Sequence, residues 1–105
     1  MPGISYLHEK FMGAVTILAL SVKSRQDRLI QVIGEEQLIL FGPKDFPKHL
    51  QKVFEKFDKA VTNNHQGKID EVVGRMSDEQ AERNIHLVLE LSYGLAEEYY
   101  GESGG

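Results

Sequence analysis

The chain has 105 residues, 41% of them hydrophobic, with a net charge of −4 and no cysteine. That length holds one domain around a single core, and the absence of cysteine excludes a disulfide framework, a thiolate zinc site and a cysteine nucleophile. The acidic balance argues against a general electrostatic hold on nucleic acid or an anionic membrane, although after Ser77 the acids Asp78, Glu79, Glu82, Glu90, Glu97, Glu98 and Glu102 face Arg83 alone.

Helical periodicity dominates from the start of the chain. Leu7, Phe11, Ala14, Val15, Leu18 and Val22 recur on one face, which predicts a helix over about 5–22 with Ser5 as its N-cap. Its apolar run from Phe11 to Leu20 is about half the length that spans a bilayer, so no membrane segment is expected. Glu9 beside Lys10 weakens the positive start that a leader peptide needs, and a cytoplasmic location is expected. Beside the core stripe, Tyr6, Gly13, Ile17 and Leu20 line up as a second apolar face. Such a helix is covered on both sides, either by other helices of the chain or by a second copy, with Gly13 permitting close approach.

Ser24 with Asp27 three residues on opens the next segment, where Leu29, Ile30, Val32 and Ile33 are interrupted by Gly34. Leu38 to Phe41 follow, and Gly42-Pro43 closes the segment. The β-branched density of 28–41 leaves a hairpin open, but neither half alternates as a half-buried strand should, which favours helix. In the third helix Asp45 is the expected cap, Pro47 lies in the first turn, and Leu50, Val53, Phe54, Phe57 and Val61 form the inward stripe up to Asn63-Asn64. Residues 67–76 read as a short connector helix with Ile69, Val72, Val73 and Met76 inward. Ser77 and Gln80 then form a capping box, with Met76 stapling onto Ala81, and open a last helix reaching about Tyr100. Its inward positions are Ala81, Ile85, Val88, Leu95, Ala96 and Tyr99, and residues 101–105 are a polar, glycine-rich tail. The expected fold is all-α: a compact bundle of four main helices and a short connector, forming one domain over 1–100.

Islands of this pattern carry a resemblance. They are Tyr6-Leu7-His8-Glu9-Lys10-Phe11, Ser24 with Gln26-Asp27-Arg28-Leu29, Asp45-Phe46-Pro47 with Leu50, Gly67 with Ile69, and Met76-Ser77-Asp78-Glu79. In these the chain resembles a group of short bacterial all-helical proteins of unknown function, and departs from it at Gly94, where a larger polar residue is expected. The resemblance implies helices and no activity.

Motifs of chemistry are missing. No Gly-x-Ser-x-Gly elbow, phosphate-cradling glycine pattern or paired Glu-x-x-His is present, so neither catalysis nor a cofactor nor a metal site is expected. Glu79, Glu82, His86, Glu90 and Glu97 share a stripe of about 80° on the last helix, aimed at water. Lys48, Lys52, Lys56 and Lys59 make a basic stripe opposite the core of the third helix, tempered by expected Asp45–Lys48 and Glu55–Lys59 pairs. That stripe suits an acidic protein partner better than nucleic acid, because no aromatic side chains accompany it for base stacking. The reading that remains is a small cytoplasmic protein-interaction module, acting as a homodimer if Tyr6, Gly13, Ile17 and Leu20 meet a second copy. The alternative is a helical nucleic-acid binder using the lysine stripe.

Overall fold

A computed structural model describes residues 3–104, with side chains up to Gly101. Its helices are α1 (Ile4–Leu20), α2 (Arg25–Glu35), α3 (Lys48–Thr62), α4 (Ile69–Gly74) and α5 (Asp78–Gly104), with 3-10 turns at Leu38–Leu40 and Pro43–Asp45. The described residues contain no strand, so the hairpin alternative for 28–41 falls. The all-α bundle of four main helices and a short connector is the architecture found.

Local chemistry sets the helix boundaries. The Ser24 hydroxyl accepts from the Asp27 amide at 3.1 Å and starts α2. Ser77 and Gln80 complete the expected capping box, with bonds of 2.9 and 3.1 Å. Other boundaries differ from expectation. Gly3, not Ser5, is the N-cap of α1, and extended backbone at Ser21 ends that helix, leaving Val22 exposed instead of in the core. Asp45 does not cap α3. Its carboxylate accepts from the Gly42 amide at 2.8 Å and closes the preceding turn, while Pro47 takes the N-cap position of α3. Residues 101–104 continue α5 rather than forming a separate tail, and Gly105 lies outside the described residues.

α5 is the centre of the bundle, packing on α1, α2 and α3, whereas α4 fastens α2 and α3. Gly94 lets α3 come close: a Cβ there would lie 2.6 Å from a Leu50 methyl. The α2–α5 seam is tied at its end by Gln26, whose Nε2 donates to the Met76 carbonyl at 2.8 Å and to Asp78 Oδ1 at 3.0 Å. Phe46, in the link before α3, is the aromatic hub. It stacks on Phe54 at 4.5 Å and meets Phe11 and Phe41 edge-on at 5.8 and 6.3 Å.

Candidate functional site

The second face of α1 is largely filled from within the chain. Phe41 packs edge-on against Tyr6 at 6.0 Å, and the Glu36 carboxylate lies over Gly13 so closely that a Cβ would fall 2.5 Å from its Oε1. Ile17 is half-buried against the core. Tyr6 stays 45% exposed despite the Phe41 contact, and Leu20 stands clear at 77%. Within the molecule, Gly13 thus permits the close approach of Glu36.

A different apolar surface is open. On the outside of α5, Leu89, Tyr93, Ala96 and Tyr100 follow one another at spacings of four, three and four, the repeat of a helix–helix seam. Leu89, Tyr93 and Tyr100 are 38%, 71% and 63% exposed. α1 extends the surface: Met12, 44% exposed, places its sulfur 4.0 Å from the Ser92 hydroxyl. At the other end His8 stacks on Tyr99 at 4.6 Å and meets Tyr100 edge-on at 5.6 Å. Exposed Glu90 and Glu97 border the row on α5, and exposed Glu9 borders Met12 on α1. The sequence reading missed this row because α5 is apolar over so wide an arc that its outer members merge with the inward stripe; the four-three-four spacing was the available signal.

The charged stripes lie at the surface. Glu79, Glu82, His86, Glu90 and Glu97 are all exposed, and among the described residues no three His, Asp or Glu side chains converge to hold a metal ion. Lys48, Lys52, Lys56 and Lys59 are exposed too. Lys59 meets Glu55 at 3.1 Å as expected, but the Asp45–Lys48 pair is not formed, because Asp45 is turned to Gly42. Phe54 and Phe57 are fully buried, so they offer the stripe no stacking platform. Among the described residues no helix is long and apolar enough to cross a membrane. Comparison with family models, with curated proteins and with solved structures finds no match to this chain.

Proposed function

We propose that this chain is a small, non-enzymatic protein-interaction module of the cytoplasm that docks an amphipathic helix of another protein along the α1/α5 seam. The observation that carries the reading is the row of exposed Leu89, Tyr93 and Tyr100, joined by half-buried Ala96, with exposed Met12 beside it. A contiguous apolar row with a polar rim marks an interaction surface, whereas scattered apolar side chains need no explanation. Its spacing fits a partner helix with apolar residues at the same repeat. The rim of Glu9, Glu90 and Glu97 asks for lysine or arginine on that helix. It also works against a second copy, since pairing α5 antiparallel with itself about a two-fold axis sets acids of the same edge against one another.

A photo-reactive phenylalanine analogue in place of Tyr93 tests this directly in host lysate. The expected adduct maps to a lysine- or arginine-flanked amphipathic helix of another protein and disappears on Leu89→Glu. Adducts confined to copies of this chain would return the surface to self-association. Binding of RNA or DNA with steep salt dependence, lost on reversing Lys48 and Lys52, would favour the nucleic-acid reading instead.

A further inference from the structure

The outer side of α2 continues into the end of α1 as one surface. Lys23, Asp27, Gln31, Gly34 and Glu35 line a furrow along α2. Lys23 and Gln31 also line the adjoining furrow, whose other wall is Thr16, Ile17, Leu20 and Val22 of α1 and the link after it. Val22 and Leu20 are the two most exposed large apolar side chains among the described residues. Single apolar side chains at a surface need no explanation, but neighbours gathered on one open edge mark an interface.

Gly34 has no role within one molecule. Its φ is not positive, and a Cβ there would meet no atom within 4 Å. Neither the backbone nor the packing of α2 calls for glycine at this position, where it weakens the helix relative to alanine. What the missing side chain does allow is a second helix lying close over the outer side of α2.

The charges select which helix that is. Lys23 stands at one end of the α2 furrow and Glu35 at the other. Both lie on the edge shared with α1, because Gln31 lines the two furrows with Lys23 and donates to Glu35 Oε1 at 3.3 Å. A two-fold axis that lays two copies of α2 antiparallel sets each edge against the same edge of the partner, reversed end for end. In the register that brings Lys23 to the partner's Glu35, Asp27 comes to the partner's Gln31 and Ser24 to the partner's Gly34. Arg25, Arg28 and Glu36 then face isoleucine or valine, so no like charges are opposed along α2. The acid-rimmed α5 has no such register.

We propose that the chain pairs with a second copy of itself through the outer side of α2 and the end of α1. Leu20, Val22 and half-buried Ile17 supply the apolar contact, Gly34 the close approach, and the two Lys23–Glu35 pairs the orientation. Exposed ion pairs add little affinity, but like charges set against each other exclude other registers. The interface uses no residue of the α1/α5 seam. Each copy keeps that surface free, and the docking reading is tested apart from this one.

Sedimentation equilibrium of the full chain over a concentration series tests the pairing. The mass is expected to rise from 11.9 kDa toward twice that value. Lys23→Glu and Glu35→Lys each oppose like charges at two places and are each expected to weaken the dimer about tenfold, whereas the double reversal restores it. Lys52→Glu makes the same charge change on α3 and should leave the dimer unchanged. Gly34→Gln favours the helix, so a fold retained by circular dichroism together with loss of the dimer separates contact from folding. A native chain that stays monomeric up to about 1 mM, a loss in Lys52→Glu equal to that in Lys23→Glu, or a double reversal that fails to recover the dimer would each overturn the proposal.

Discussion

Asp58 shows how one side chain can act against its own fold. Its carboxylate is 14% exposed and lies 3.2 Å from His65 Nε2. Burial raises its pKa above the ordinary 3.8, and the His65 charge opposes that shift without cancelling it. A carboxyl with a raised folded pKa stabilises the fold fully only below its unfolded value, about pH 4, and that contribution is lost as pH rises through the folded value. At neutral pH the ionised group therefore weighs against folding. Asp58→Asn is expected to raise the Tm at pH 7, with the gain shrinking toward pH 3, when thermal melts are compared across that range. A lower Tm at pH 7 would mean that the bond to His65 outweighs the burial. The turn beside it is also set by single residues: Asn63, Asn64 and His65 all have positive φ, and the buried Thr62 hydroxyl accepts from the His65 amide at 3.0 Å. Asparagine tolerates that backbone region, which is why the end of α3 was legible at Asn63-Asn64.

Elements were legible in sequence where a cap and a stripe agreed. Ser24 and Ser77 start helices because their hydroxyls have amide partners three residues on, and Phe54, Phe57 and Val61 are buried as their spacing requires. Asp45 failed as a cap because a carboxylate two residues before a proline can serve the turn it sits in, and Phe46 went unread as core because a single aromatic in a link has no periodicity. The rank of the helices was not legible either. α1 has the longest apolar run, yet α5 is the helix with neighbours on several sides. Gly94 explains part of this, since the missing side chain admits Leu50 of α3. Gly94→Ala gains about 1 kcal/mol of helix propensity, but in a packed interior its methyl displaces a Leu50 side chain that is 4% exposed. The net expectation is a loss of about 1–2 kcal/mol in denaturant unfolding. In a Leu50→Ala background the same change is expected to be neutral or stabilising. A loss that persists there would place the strain in the backbone of α5 rather than in its contact with α3.

For the molecule as a whole, the sequence left open whether the second face of α1 joins two copies or completes one. Within one molecule the segment after α2 covers part of that face. Gln37 adopts φ 53 and swings the chain back, so that Phe41 reaches Tyr6, and Glu36 lies over Gly13. Ile17 consequently packs against the core of one molecule, whereas Leu20 is the most exposed of the four. Two substitutions of the same kind should therefore behave differently. Ile17→Glu sets a carboxylate against apolar core without a partner and is expected to cost about 2–3 kcal/mol of stability. Leu20→Glu is expected to leave the fold of each copy within about 0.5 kcal/mol of native. It should act on the pairing of copies instead, taking the molar mass seen by light scattering after size exclusion from dimer to folded monomer. A native dimer that Leu20→Glu leaves whole would place the exposed end of α1 outside the interface between copies. The α1/α5 seam has to be tested in the presence of that dimer, with Tyr93→Glu distinguishing the two surfaces.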